Sequence, residues 1–449
     1  MPAKVEEPFP SELTQHLQTV LLDLAAHPYP YIPSPPDLNK RASVALILRI
    51  QPHYTHWPSE SVIEVLRSIS DIPHVEQKLE KFFQQDWVKY GDPEVLFIKR
   101  AARKGDRWPT HVALPGGGKD PEDADDQVTA VREALEEVGV ELKQENSITV
   151  GNLPQRLVTT SWGKVPLMVL CPYVFLITDP SLPPLRLQPT EVGSAHWVPL
   201  RALLSASLRT VEYQDVSARV AKLEMGIGRW FMRIMLGKMI FAAIRLVPAQ
   251  SIYCSTIPDF MVDDGKSYID NARSIPTQLN RWWSGAKKIQ TPTDKPLLLW
   301  GLTLGVMADF LELMPPHNAL ELWMYPTFKP WDLRFILWAM SYRLRNQKWN
   351  ELKDGDHHTP AAVEQGLDSV SLPLESEKLG EVGMAGTSVG AYYCRIRQIQ
   401  RNSRSSGLGI LLEGYYDIVR KAVAVTLVTR VSSIGILAVL AYKRFKEYR

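Results

Sequence analysis

The sequence predicts an α/β fold in which a mixed sheet is sandwiched between helices. Short apolar segments with strand character are separated by turn residues, and a strongly periodic helix lies among them. With 45% hydrophobic and 22% charged residues, the 449-residue chain has enough apolar material for one or two globular cores. The composition therefore excludes a disordered protein.

The predicted elements begin with a short amphipathic helix over residues 13–26. Ser11 is its predicted N-cap, and the proline-rich segment YPYIPSPPD ends it. A helix that ends near Val138 follows a glycine cluster. The predicted strands are residues 42–50, 95–99, 111–114, 168–178 and 195–199.

Composition shifts along the chain suggest six segments. A stretch rich in Gly, Pro, Asp, Ser and His is typical of a linker, and a basic, apolar region follows it. The segments are an N-terminal helix and proline-rich lead-in (1–41), the α/β domain (42–200), a helical insertion with a helix at 225–247 (201–295), the end of the domain with following helices (296–349), a flexible linker (350–386) and a C-terminal helical tail (387–449).

Charge and cysteine content narrow the partners and the compartment. With 51 basic and 49 acidic residues the chain offers nucleic acid no bulk attraction, so no nucleic-acid partner is expected. Cys171, Cys254 and Cys394 are far apart in sequence, which argues against a zinc knuckle or a disulfide framework. The first residues lack the basic patch and apolar run of a signal peptide. We expect an intracellular protein that is not secreted.

Three carboxylates share one face of the periodic helix. Glu133, Glu136 and Glu137 stand at i, i+3 and i+4, so their mutual repulsion is costly unless a cation neutralises it; the alternative is a solvated acidic helix face. Oxygen ligands without cysteine or histidine favour Mg²⁺ or Mn²⁺ over zinc. Arg132 lies four residues before Glu136 and can brace it, while Gly139 suits the position after the helix end.

A separate apolar stripe on the same helix predicts how it packs. Val128, Val131, Leu135 and Val138 follow one another at spacings of three, four and three. We expect this stripe to lie on the sheet, which leaves the carboxylate face for a pocket.

The segment LPGGGKDPEDADDQVTAVREALEEVGV, residues 114–140, resembles the Nudix box, in which a glycine loop precedes RExxEExG. The resemblance implies a Nudix fold and a metal-dependent hydrolase that cuts the diphosphate bond of a nucleoside diphosphate linked to another group. The box usually has a glutamate where this chain has Ala124, flanked by Asp123 and Asp125. The loop GGGKDPEDADD, the segments LFIKRAARKGDRWPTHVALPGG and PTEVGSAHWVPL, and the later LWGLT are instead similar to the coenzyme A diphosphatase branch.

The resemblance also implies roles for individual residues. Glu136 and Glu137 would be the main metal ligands, and a backbone carbonyl of Gly117 or Gly118 would add an oxygen. Glu133 would bind through water or orient the nucleophile. The remaining assignments are Arg132 to hold the carboxylates, Glu191 as the alternative general base, and Arg100 and Arg107 to contact the substrate's phosphates.

Three functions remain open at this stage. The first is a diphosphatase of coenzyme A or acyl-CoA that yields 3',5'-ADP and a phosphopantetheine product. The second is a nucleotide-pool or dinucleotide pyrophosphohydrolase, and the third is a non-catalytic, membrane-bound adaptor that keeps the fold. The intact RExxEE favours an enzyme with a small-molecule diphosphate substrate.

The C-terminal tail predicts a membrane anchor. Residues 422–442 form a 21-residue, mostly apolar segment flanked by basic residues, close to the roughly 20 residues that a spanning helix needs. Arg430 lies near its middle. The alternative is a helix packed on the domain with Arg430 pointing outward. Residues 225–247 are predicted to assist as an interfacial helix, and the membrane would be that of the mitochondrion, the peroxisome or the endoplasmic reticulum.

Overall fold

The computed structural model describes residues 11–36, 38, 40–59, 66, 69–101, 110–160, 165–215, 235–253, 296–320, 322–355 and 407–449. Its strands are β1 (Arg41–Gln51), β2 (Asp92–Arg100), β3 (Val112–Ala113), β4 (Gly116–Gly118), β5 (Ser147–Asn152), β6 (Arg156–Thr160), β7 (Val165–Ile177), β8 (Val192–Pro199), β9 (Arg209–Asp215), β10 (Lys238–Arg245), β11 (Gln250–Tyr253), β12 (Leu298–Trp300) and β13 (Thr327–Phe328). Its α-helices are α1 (Glu12–Ala26), α2 (Val75–Phe83), α3 (Asp86–Lys89), α4 (Asp126–Val138), α5 (Leu200–Leu204), α6 (Gly301–Glu312), α7 (Trp331–Gly355), α8 (Gly407–Leu412) and α9 (Tyr415–Glu447).

The larger sheet is mixed, as predicted. Its strand order is β11-β8-β2-β1-β7-β5, with β3 paired to β2, β4 to β1 and β6 to β7. Strands β1 and β7 run parallel in the middle, and their neighbours are antiparallel. The predicted strands at 42–50, 95–99, 168–178 and 195–199 are all confirmed, each extended or shifted by a few residues.

Helices cover both faces of this sheet. On one face, α4 packs through Ala130, Ala134 and Val138, all fully buried. On the other face, α1, α2 and α6 form a larger apolar core with residues such as Leu21, Phe82 and Phe310. The α/β sandwich predicted from the sequence is therefore present.

The predicted apolar stripe of α4 is confirmed at Val131 and Val138, which pack against the sheet, and is wrong at Val128 and Leu135. Val128 and Leu135 are 41% and 47% exposed, whereas the small residues Ala130 and Ala134 face the sheet. Small residues let the helix approach closely, so the neighbouring Glu133 is buried at the same interface. The carboxylate face and the packing face therefore overlap.

The region predicted as a helical insertion contains strands. The predicted helix at 225–247 is wrong from Lys238 onward, because β10 pairs with β9, β12 and β13 in a second antiparallel sheet. Strand β11 returns to the edge of the first sheet beside β8. Buried residues in β10 come in adjacent pairs, Met239 with Ile240 and Ala243 with Ile244, so the pattern resembles helical periodicity and does not alternate as in a half-buried strand. Residues 225–234 lie outside the described residues, as does the predicted linker from 356 onward.

The tail is a long helix that packs on the protein over its first half only. In α9, the side chains of Tyr415, Val419, Ala422 and Val423 are buried against α7 and the second sheet. From Val431 to the end of the helix, its residues are exposed. Gly407–Glu447 is the one stretch among the described residues that is long and apolar enough to cross a membrane, with a mean hydropathy of 2.1 and only 11% of its apolar window buried.

Candidate active site

A strand of three glycines, β4, lies directly before helix α4 and against its carboxylates. Strand β4 pairs with β1, so that Gly116 lies opposite Val44 and Gly117 opposite Ser43. Gly116 has φ of 155°, and a Cβ there would lie 2.3 Å from the carbonyl oxygen of Ser43. Only glycine is accommodated at this point. Asp125 then caps α4, since its side chain accepts from the backbone N–H of Val128 at 2.8 Å.

Glu137 is the most deeply buried carboxylate of the site. Its Oε2 accepts a hydrogen bond from the backbone N–H of Gly116 at 2.8 Å, and its Oε1 lies 3.9 Å from Nη1 of Arg100. Burial, reinforced by the charges of Glu133 and Glu191, raises the pKa of Glu137 to about 8. A carboxylate kept in this environment favours a cation or a proton beside it.

Glu133 lies against the glycine strand, one turn earlier. A Cβ added at Gly117 would stand 2.3 Å from its Oε1, so the absence of a side chain at Gly117 makes room for this carboxylate. Nη1 of Arg132 is 3.1 Å from the same oxygen. Burial also raises the pKa of Glu133, and the charges of Glu136 and Glu191 add to that effect.

Arg132 links the glycine strand, the loop and the helix. Its Nη2 donates to the carbonyl oxygen of Gly118 at 2.9 Å, and its Nη1 donates to Oε2 of Glu136 at 2.9 Å. The predicted bracing role of Arg132 toward Glu136 therefore has the expected contact. Gly139 takes the left-handed conformation after the helix, with φ of 70°, as predicted.

Asp123 belongs to this arrangement, although the sequence analysis gave it no role. It accepts from Nε and Nη2 of Arg132 at 3.1 Å and 3.0 Å, from Oγ1 of Thr129 at 2.9 Å and from the backbone N–H of Asp120 at 3.0 Å. These donors, Arg132 first, lower the pKa of Asp123 to about 2. Ala124 stands where the Nudix-like box usually has a glutamate, and the adjacent Asp123 holds Arg132 in place. The sequence feature that could have indicated a role for Asp123 is the acidic segment DADD, in which an aspartate can face inward and pair with an arginine.

The strand edges place two further predicted residues near the carboxylates. Arg100, at the end of β2, stands opposite Val192 of β8 after a shift in register. The carbonyl oxygen of Glu191 accepts from the backbone N–H of Ala101 at 2.8 Å, which holds Glu191 at the same edge. Its charge acts on both Glu133 and Glu137. Arg107 lies outside the described residues.

The donor set suits a divalent metal ion, although the side chains do not all converge. Among the described residues, no three His, Cys, Asp or Glu side chains stand together at ligand distances. Glu133 and Glu137 face the glycine strand, whereas Glu136 is half exposed and contacts Arg132, as does the carbonyl of Gly118. Hard oxygen donors beside a carboxyl of raised pKa fit Mg²⁺ or Mn²⁺.

Comparison with known proteins assigns the family. A NUDIX domain model matches residues 87–218, a range that includes β2, the glycine strand, α4 and β8. The chain therefore contains a NUDIX domain. Nudix hydrolases are diphosphohydrolases, so the chain is an enzyme of that class, and the α/β fold inferred from the box is confirmed.

Relatives of this Nudix protein are known from several organisms. An uncharacterised protein of Schizosaccharomyces pombe is 34% identical over 259 residues, which cover 56% of this chain and 67% of that protein. Among solved structures, a Caenorhabditis elegans Ap4A hydrolase is 16% identical and covers 36% of this chain and 82% of its own, with a TM-score of 0.22. A Nudix hydrolase from Alicyclobacillus acidocaldarius is 19% identical and covers 36% and 81%, with a TM-score of 0.23. At these scores the solved structures add nothing to the family model.

Proposed function

We propose that this Nudix enzyme hydrolyses the diphosphate bond of coenzyme A or acyl-CoA, with Mg²⁺ or Mn²⁺ held by Glu133, Glu136 and Glu137. The observation that carries the hydrolytic part is the packing of two buried carboxylates against a glycine strand beside Arg100. A bound divalent cation screens the charge of the diphosphate and polarises its phosphorus toward attack by water.

The chain's own residues divide the remaining tasks. The guanidinium of Arg132 contacts Glu136, Glu133 and the carbonyl oxygen of Gly118 and so fixes their relative positions. Asp123 accepts hydrogen bonds from the same guanidinium and holds it in place. Arg100 lies at the mouth of the site and can hold a phosphate oxygen. Glu191 or Glu133 orients and deprotonates the attacking water. Because a diphosphate carries several negative charges, the partly exposed guanidinium of Arg100 binds the substrate while the carboxylates bind the cation.

The substrate assignment is supported by the segments that resemble the coenzyme A branch. The segment LWGLT begins α6, and the indole of Trp300 contacts the imidazole of His111 with ring centroids 4.6 Å apart. Two segments far apart in sequence thus meet next to the end of β2, where Arg100 lies. An aromatic surface beside a phosphate-binding arginine suits an adenine nucleotide.

A substrate panel tests this proposal. Purified full-length protein would be incubated with CoA, acetyl-CoA, ADP-ribose, NADH and oxidised deoxynucleoside triphosphates in Mg²⁺, and the products separated by chromatography. Release of 3',5'-ADP and a phosphopantetheine from CoA or acetyl-CoA, faster than any other turnover, is the expected result. Preferred cleavage of NADH or of a triphosphate would establish the nucleotide-pool alternative. No turnover of any substrate would favour the adaptor.

We also propose that residues 422–442 anchor the enzyme in an intracellular membrane, that of the mitochondrion, the peroxisome or the endoplasmic reticulum. The segment lies within the apolar helix α9 and is followed by the basic residues Lys443, Arg444 and Lys446. Extraction of membranes with alkaline carbonate tests it. The full chain should stay with the membrane, and a chain that ends at Lys421 should wash off.

A further inference from the structure

Helices α7 and α9 lie side by side in opposite directions. At one end, Nζ of Lys348 is 2.6 Å from Oε2 of Glu413, just before α9 begins. At the other end, the guanidinium of Arg430 pairs with the carboxylate of Asp332, with its Nη2 2.5 Å from Oδ1. The contact between the two helices therefore ends near Arg430, where α7 starts.

This pairing gives the proposed anchor a neighbour. The segment 422–442 begins eight residues before Arg430, and at ~1.5 Å per residue about 12 Å of it lies beside the first turns of α7. Ala422 and Val423 are buried in that contact. If residues 422–442 enter a bilayer as proposed, the start of α7 must enter the same leaflet or the contact must break.

The surface of α7 at that position has the composition of a membrane-facing element. Trp331, Phe335, Trp338 and Tyr342 recur at spacings of four, three and four, which places them on one face of the helix. Trp331 is 81% exposed, and Phe335 and Trp338 are 62% and 52% exposed. Tryptophan and tyrosine are enriched at membrane interfaces, where an apolar ring with a polar edge is stable. Exposed aromatic residues grouped on one helix face are typical of a surface that binds lipid or another molecule.

The Arg430–Asp332 pair removes the main objection to the anchor. An unpaired arginine inside a spanning segment is costly, and such residues usually pair with an opposite charge on a neighbouring helix. Two oxygens of Asp332 and the carbonyl of Met235 accept from the guanidinium of Arg430. The charge within the segment is thus neutralised by a residue of α7 itself.

Resting on the membrane attachment proposed above, we infer that the first half of α7 is a second membrane-binding element. The aromatic face of Trp331, Phe335, Trp338 and Tyr342 contacts the lipid of the near leaflet, and Asp332 is the counter-ion of Arg430 there. The occupant of this face is the bilayer: the exposed apolar surface of α9 continues directly beyond Arg430, where α7 starts, and the basic residues Lys443, Arg444 and Lys446 at its far end suit the headgroups of the other leaflet. Two attachment points then fix the orientation of the NUDIX domain relative to the membrane.

Depth-dependent fluorescence quenching tests this inference on the full chain. The protein would be reconstituted in phosphatidylcholine vesicles with a minority of phosphatidylserine, with and without lipid brominated near the headgroup. Because the chain has 13 tryptophans, quenching is compared between the native protein and Trp331→Phe/Trp338→Phe, which keeps the surface apolar. We expect the variant to remain in the vesicles but to lose at least half of the quenching. Equal quenching in both proteins would overturn the inference.

A second pair of variants tests the counter-ion. Asp332→Asn leaves Arg430 unpaired and should lower the fraction that resists carbonate at least threefold, and adding Arg430→Met should restore it. No loss with Asp332→Asn, or loss without rescue, would contradict the assigned role.

The controls separate this inference from the anchor itself. If the native chain washes off with carbonate, the anchor fails and the inference fails with it. If the native chain resists carbonate but quenching is unchanged by the tryptophan variant, only the inference fails. If a chain ending at Arg430 forms a dimer without lipid, and Phe335→Ser converts it to a monomer, the face binds a second copy and the inference is again wrong.

Discussion

Asp123 is expected to be as important as the glutamates of the helix, although it binds neither metal nor substrate. The change Asp123→Asn keeps the shape of the side chain but removes the charge that accepts from Nε and Nη2 of Arg132. A charge-assisted hydrogen bond contributes about 1.5–3 kcal/mol. Since the guanidinium of Arg132 is partly exposed and keeps other acceptors, we expect a loss of about 2 kcal/mol in the free energy of unfolding.

The catalytic effect should exceed what this loss of stability explains. Freed from Asp123, Arg132 no longer fixes Glu136 and the carbonyl of Gly118, and a misplacement of about 1 Å in a catalytic group can lower kcat on the order of 100-fold. Urea denaturation and steady-state kinetics at saturating Mg²⁺ would measure the two effects. Asp125→Ala is the matched control, because it removes the helix cap at a cost of about 1 kcal/mol and leaves Arg132 in place.

The pH dependence of this difference follows from the lowered pKa of Asp123. The contribution of Asp123 to stability is complete above the ordinary carboxyl pKa of about 4 and is lost as the pH falls through about 2. The gap in unfolding free energy between the native protein and Asp123→Asn should therefore be constant from about pH 5 to 8 and shrink below about 4. Equal kcat for Asp123→Asn and Asp125→Ala would refute the bracing role.

Three further changes test single residues of the site. Gly117→Ala would push the carboxylate of Glu133 out of its position, so kcat should fall at least tenfold with little change in stability. Gly118→Ala is the control, because a Cβ at Gly118 meets nothing within 4 Å. Equal kcat in the two variants would count against this position for Glu133. Arg100→Ala should raise KM for the diphosphate at least fivefold while the Mg²⁺ concentration for half-maximal rate changes less, and an unchanged KM for every substrate would exclude phosphate binding by this residue. Glu191→Gln should lower kcat at least about 100-fold if this residue is the general base; near-native kcat would assign the base to Glu133 instead.

The sequence predicts the end of helix α4 and the contacts along it, but not which face of the helix packs on the sheet. The cap at Gly139, the contact of Arg132 with Glu136 and the central strands all follow from residue types at fixed spacing. The apolar stripe misled because Val128 and Leu135 satisfy helical periodicity as well as Ala130 and Ala134 do. Close packing of α4 against the glycine strand β4 determines which of these residues face the sheet. The sequence alone does not predict this strand, because it depends on the pairing of β4 with β1.

Long-range pairing explains the other differences. Strand β10 is apolar enough to be taken for a helix, and its partners β9, β12 and β13 come from distant parts of the chain. Asp123 contacts Arg132 across a turn whose geometry no spacing rule gives. The sequence alone shows no counter-ion for Arg430, because its partner, Asp332, is almost one hundred residues away.

The central claim is that the glutamates of α4 support diphosphate hydrolysis. It is tested most directly by comparing kcat/KM of the native protein with that of Glu136→Gln and Glu137→Gln on the best substrate of the panel, over a titration of Mg²⁺. Because each change keeps the volume and removes one negative charge, we expect kcat to fall by at least about 100-fold in both, with the circular dichroism and the urea midpoint of Glu136→Gln unchanged. Near-native turnover in both variants at every Mg²⁺ concentration would contradict the account.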